Sequence, residues 1–205
     1  MFCWNQDMIR FLRDASEQSD YHRLLAARIA RELPENARVC DAGCGLGYLS
    51  LRLAPYCRQI TAVDRSAEAL AVLERNIAAG GPQNITPLCG EIENLPPREP
   101  YDAMVFCFFG SMEEIVAAAR RQCRGTVLAI VRDDTCHRFS GVPREPGRHS
   151  FESPCGHLER QGLPHTPRPL APALPPPPPP PAPPPPPLAP PPQAPPAHPP
   201  PPPPP

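Results

Sequence analysis

Residues 39–50 read VCDAGCGLGYLS, an apolar stretch ending in Asp41 and followed by three glycines in five positions. A glycine loop between a buried strand and a helix lets the backbone approach a nucleotide closely. The dinucleotide fingerprint spaces its glycines as G-x-G-x-x-G. Here they fall at Gly43, Gly45 and Gly47, and Tyr48 stands where the third dinucleotide glycine belongs. A carboxylate two residues before the first glycine repels a pyrophosphate but suits a ligand that carries an ammonium and a sulfonium. Asp64 lies 21 residues after Gly43, at the end of the apolar run QITAVD. That is where a carboxylate accepts ribose hydroxyls, so Asp64 supports a nucleoside without choosing between adenosine cofactors.

The chain on either side alternates between two periods. SDYHRLLAARIARELP repeats Tyr21, Leu25, Ile29 and Leu33 every four residues behind Ser19 or Asp20 as cap and ends at Pro34, which predicts an amphipathic helix. A shorter helix is expected around Asp7 to Ala15. ARVCDAG reads as a buried strand, YLSLRLAPY as a helix, QITAVD as a strand, and AEALAVLERNIAAG as a helix capped by Ser66 and stopped at Gly80. NITPLCGE, YDAMVFCFF and GTVLAIV supply three further strands, with the helix SMEEIVAAARRQ before the last. Strands alternating with helices at this spacing imply crossover connections. The fold class is therefore α/β, a doubly wound, mostly parallel sheet covered on both faces. Past Arg132 the signal thins: FESPCGHLERQG is compatible with a short helix despite Pro154, and LPHTPRPLA makes a poor strand.

Composition sets the limits of the folded unit. Of 38 prolines, ten precede residue 164 and 28 lie from there onward. Three segments are expected: 1–35, a helical lid; 36–165, the ligand-binding domain; and 166–205, a disordered proline-rich tail. Charge is nearly balanced, 20 basic against 21 acidic residues, which gives no general attraction to nucleic acid or to an anionic membrane. All the basic residues are arginine, and with the alanine and proline content this points to GC-rich coding sequence rather than to a function. No run of apolar residues has the length of a signal peptide core or a membrane span, so a cytoplasmic location is expected. The nine cysteines form no C-x-x-C pair and several sit in apolar runs, the pattern of reduced structural thiols. Cys136, His137, His149, Cys155 and His157 follow no zinc spacing, and no metal is expected.

Asp41 to Gly47 (DAGCGLG), Asp64 at its strand end, Gly90-Glu91-Ile92 and the YDAMVF strand together resemble class I S-adenosylmethionine-dependent methyltransferases, in a bacterial small-domain form, over about residues 1–135. The resemblance implies S-adenosyl-L-methionine as cofactor. It implies that Gly43, Gly45 and Gly47 shape the pocket for its methionine end with Asp41 as acidic anchor, that Asp64 holds the ribose, and that Glu91 and the backbone of Ile92 contact adenine. It also places Cys107, Phe108 and Phe109 where the methyl acceptor approaches, and Trp4 and Tyr21 near a lid. The family usually ends with two more strands beside the fifth. Here that region turns into proline, so the sheet is expected to be truncated, with an uncovered edge and low stability. The tail reads either as a polyproline II rod for a groove-binding partner or, as the position of the change favours, as the product of a frame change.

An activated methyl group needs mainly alignment in a water-poor cleft. Asp133, Asp134 and His137 are the candidates should the acceptor need a base, and no N-P-P-Y or D-P-P-Y motif follows the fourth strand. The expected acceptor is a small molecule. The rival readings are an NAD(P)-binding oxidoreductase, against which the glycine spacing and Asp41 argue, and a non-catalytic module whose polyproline tail recruits partners.

Overall fold

In a computed structural model of the chain, residues 5–95, 99–131 and 152–169 are described. Two helices come first: α1 (Gln6–Gln18), capped by the Asn5 side chain on the Met8 amide, and α2 (Tyr21–Ala30). Asp20 is the N-cap residue of α2 but gives no side-chain cap; its carboxylate binds Arg23 instead. The helix stops three residues short of Leu33. Arg31, Glu32 and Leu33 donate to carbonyls three residues back, tightening the chain ahead of Pro34, and Leu33 still packs on the core.

The sheet follows in the expected order: β1 (Arg38–Ala42), β2 (Gln59–Asp64), β3 (Ile85–Cys89), β4 (Tyr101–Cys107) and β5 (Cys123–Ile130). Between them run α3 (Tyr48–Leu53) with a 3-10 turn at Ala54–Tyr56, α4 (Ala67–Ala78) and α5 (Met112–Gln122). Ser66 caps α4 through the Ala69 amide, and Ser111 with Glu114 forms a capping box on α5. A last helix, α6 (Glu152–Arg160), forms despite Pro154, which falls in its first turn where a missing amide costs little.

All four pairings are parallel and the strand order is β3-β2-β1-β4-β5. The alternation of side chains across the strands splits the core in two. Val39, Ile60, Ala62, Ala103 and Val105 face α2, α3 and α4, while Cys40, Ala42, Val63, Met104 and Phe106 face α5. β1, between β2 and β4, is therefore buried on both sides. β3 is one edge and tolerates Pro87 there.

β5 is the other edge, and no strand follows it among the described residues. A half-open groove of about 1040 Å³ runs along it between α2, α5, α6 and residues 163–169. Arg168 crosses the mouth to pair with Glu32. The sequence from residue 170 on lies outside the described residues.

Candidate functional site

The chain reverses at the carboxyl end of β1 through a loop whose three glycines all have positive φ, 71° at Gly43, 54° at Gly45 and 75° at Gly47. The reversal is anchored on β2: the amides of Gly43 and Cys44 both donate to the Val63 carbonyl, at 2.8 and 2.9 Å. Asp64, the next residue, completes the brace. One carboxylate oxygen accepts the Gly45 amide at 2.9 Å and the other accepts the Ser66 amide at 2.9 Å. Asp64 thus ties the glycine loop to the start of α4 and keeps lone pairs on both oxygens for a ligand.

Asp41 is 1% exposed beneath this loop, and the Ser50 hydroxyl on α3 donates to it at 2.5 Å. Burial pushes its carboxyl up to about 6, against the Ser50 hydrogen bond, and the charge of Asp64 adds to the rise. Neither Asp41 nor Asp64 forms an ion pair among the described residues. Cys44, in the same loop, has its thiol pushed far up by burial and by both carboxylates, which keeps it protonated and inert as a nucleophile. The described cysteines are all free thiols, and no cluster among the described residues has the makings of a metal site.

Gly90 donates its amide to the Asp64 carbonyl at 2.9 Å, which sets Glu91 beside the end of β2. The exposed Glu91 carboxylate takes the Asn94 amide at 2.7 Å. The Ile92 side chain is buried, and its carbonyl accepts from the Gln122 amide at 2.6 Å. The structure therefore brings Asp41, Asp64 and the glycines together, with Glu91 and Ile92 on the flank.

On the other flank, β4 delivers Phe108 and Phe109. A Cβ on Gly43 would come within 2.1 Å of the Phe109 ring, so that ring lies directly on the first loop glycine. Phe108, at φ 55°, stacks on Tyr21 of α2 with centroids 6.5 Å apart. Tyr21 is thus at the mouth of the site. Trp4, Asp133, Asp134 and His137 lie outside the described residues.

Sequence reading missed Ser50 and His22. Ser50 is the one polar residue among the buried positions of the YLSLRL helix, and that anomaly was its signal. His22 had none, since a polar residue beside an apolar position is ordinary on a helix.

Two carboxylates without a cation, around a loop of backbone amides, reject a pyrophosphate and fit the ammonium, sulfonium and ribose of S-adenosylmethionine. Residues 39–133 match the family model described as "Methyltransferase domain". The chain is 32% identical over 113 residues to a Methanosarcina acetivorans protein named "Probable cobalt-precorrin-6B C(15)-methyltransferase (decarboxylating)". That match covers 52% of this chain and 61% of the relative. A Methanosarcina mazei protein of the same name is 30% identical over the same length and coverage. The chain thus spans about 61% of the length of these two relatives. A crystal structure of a candidate methyltransferase of Bacillus halodurans superposes with TM-score 0.53 at 18% identity, over 68% of each chain, and shares the fold.

Over residues 39–133 the chain is thus similar to a methyltransferase domain, carried on a Rossmann-like parallel sheet. The cofactor that these residues fit is S-adenosylmethionine rather than a dinucleotide.

Proposed function

We propose that the whole protein is an S-adenosylmethionine-dependent methyltransferase acting on a small molecule in the cytoplasm. The observation that carries this reading is the pair Asp41 and Asp64, two carboxylates at the glycine loop with no cation partner among the described residues. The cofactor supplies an activated methyl group on a sulfonium. The chain binds and orients it. Gly43, Gly45 and Gly47 shape the loop that takes its methionine end, with Gly43 leaving room for the Phe109 ring and Gly47 for Leu73; Asp64 accepts ribose hydroxyls on its remaining lone pairs, and Asp41 answers the positive charge from below. Glu91 and the Ile92 amide take the adenine.

Transfer itself asks for little acid or base work. The acceptor atom bonds to the methyl carbon as the carbon–sulfur bond breaks, the electron pair stays on sulfur, and effective molarity lowers the barrier. The apolar rims at Phe108 and Phe109 exclude water from that line. No helix among the described residues is long and apolar enough to cross a membrane.

Calorimetry on the full chain tests the reading. S-adenosylmethionine and S-adenosylhomocysteine should bind in the micromolar range and NAD should not. Binding of NAD alone, or of neither nucleoside, overturns it.

A further inference from the structure

The strand order reverses direction between β1 and β4, and in open α/β sheets ligands bind outside the carboxyl ends at that point. Four rings from three elements close this crevice. Tyr21 and His22, on the first turn of α2, meet edge to face with centroids 5.2 Å apart. Tyr21 stacks at 20° on Phe108 beyond β4, and His22 stacks at 29° and 5.9 Å on Tyr48, the residue after the glycine loop. The aromatic layer thus runs from one flank of the loop to the other.

Within it the His22 Nδ1 is buried and has no hydrogen-bond partner among the described residues. A buried nitrogen left unmatched is destabilising, and a ligand donor would recover that loss. None of the charged groups nearby bonds to it. Asp20 is engaged by Arg23, the Glu17 carboxylate by the Tyr48 hydroxyl, and Arg52 acts on His22 only through its charge. Burial first, and Arg52 second, push the imidazole down to about 4, so it is neutral near pH 7 and able to accept a proton donor.

We propose that this layer is the acceptor side of the site: Tyr21, Tyr48 and Phe108 take a hydroxylated aromatic acceptor, and His22 Nδ1 accepts the hydrogen bond of its hydroxyl. The inference deepens the methyl-transfer reading and rests on it. The acceptor enters by parting the two stacks, exchanging ring–ring contact for ring–ligand contact. In the transfer the hydroxyl oxygen bonds to the methyl carbon, the carbon–sulfur pair stays on sulfur, and the hydroxyl proton passes to Nδ1, from which it returns to water.

The probes are 2-naphthol and its methyl ether, 2-methoxynaphthalene, titrated by fluorescence into the full chain saturated with S-adenosylhomocysteine. The wild type should bind the naphthol at least tenfold more tightly than the ether. His22→Phe, which keeps a stacking ring, should bring the ratio within twofold with the ether unaffected, and His22→Gln should restore part of the preference. On the wild type alone, the 15N resonance of His22 Nδ1 should move with the naphthol and not with the ether, a readout that does not depend on any variant folding. Equal affinities in the wild type, an unchanged ratio in His22→Phe, an unmoved resonance, or binding of neither probe while the nucleoside is bound overturns the acceptor proposal. Failure of the nucleoside itself to bind overturns the methyl-transfer reading.

Discussion

Asp64 and Gly45 are 19 residues apart in sequence and joined at 2.9 Å, the carboxylate of one accepting the amide of the other. The residue expected to hold the cofactor's ribose therefore also holds the shape of the cofactor's loop. Asp64→Asn keeps one acceptor and loses the other, so the amides of Gly45 and Ser66 cannot both be satisfied. We expect binding of S-adenosylmethionine to weaken by at least tenfold, because ribose contact and loop order fail together. Calorimetry measures the first, and hydrogen exchange at Gly45 the second. Faster exchange at Gly45 with unchanged affinity would show that Asp64 braces the loop without touching the ligand.

Asp41 and His22 should give the domain opposing pH dependences. The Asp41 carboxyl is raised from 3.8 to about 6, so between those values the native state holds a proton that the unfolded chain has released. Stability from this group falls as pH rises through that window, and each pKa unit is worth about 1.4 kcal/mol. His22 is lowered from 6.5 to about 4, so there the unfolded chain takes up the proton and stability rises with pH. The two slopes overlap from about 4 to 6 and largely cancel. Urea melts of Asp41→Asn should therefore show stability rising steeply with pH across this range, and melts of His22→Phe should show it falling. Asp41→Asn should also be the more stable protein at pH 7.5 while binding the cationic cofactor less well.

The architecture was legible because it is written in periodicity. QITAVD became β2 to the residue, Ser66 caps its helix, and the crossover order held throughout. The turn at the loop glycines and the place of Asp64 at its strand end were legible too, since tight turns and strand-end carboxylates leave local marks. What was not legible depends on contacts between distant elements. The Asp41–Ser50 hydrogen bond, the ring of Phe109 lying on Gly43 and the orphaned nitrogen of His22 each need the folded neighbour to exist. The end of α2 was misjudged for a similar reason: apolar spacing carried on to Leu33, but the hydrogen bonds tightened before it.

Gly125 marks a structural dependence at the opposite end of the sheet. Tyr101 pairs with Cys123 and Ala103 with Thr126, so β5 has one residue more than β4 between these pairs, and Gly125 sits in the bulge. A Cβ there would stand 2.2 Å from the Asp102 carbonyl oxygen. Asp102 cannot give way easily, because its carboxylate holds the Arg38 amide at 2.9 Å and the Arg124 guanidinium at 2.6 Å. Gly125→Ala should destabilise by about 1–3 kcal/mol, as overpacking does. Urea denaturation should register the loss while nucleoside affinity, measured well below the midpoint, stays within twofold.

Gly47 and Gly80 both sit at positive φ, 75° and 97°, and separate backbone strain from crowding. At Gly80, the stop of α4, a Cβ meets nothing within 4 Å, so Gly80→Ala costs only the strain of a left-handed residue, about 1–2 kcal/mol. At Gly47 the same strain is joined by a clash, since a Cβ would lie 2.5 Å from the Leu73 Cδ1 and 2.8 Å from its Cβ. Leu73 is fully buried in the core under the loop and has nowhere to retreat. Relief must come from the loop, whose Gly47 amide is bonded to the Cys44 carbonyl at 3.0 Å. Gly47→Ala should therefore lower the thermal midpoint more than Gly80→Ala and, unlike it, weaken S-adenosylmethionine binding by at least tenfold. Equal effects of the two substitutions on binding would mean that the loop does not shape the cofactor pocket.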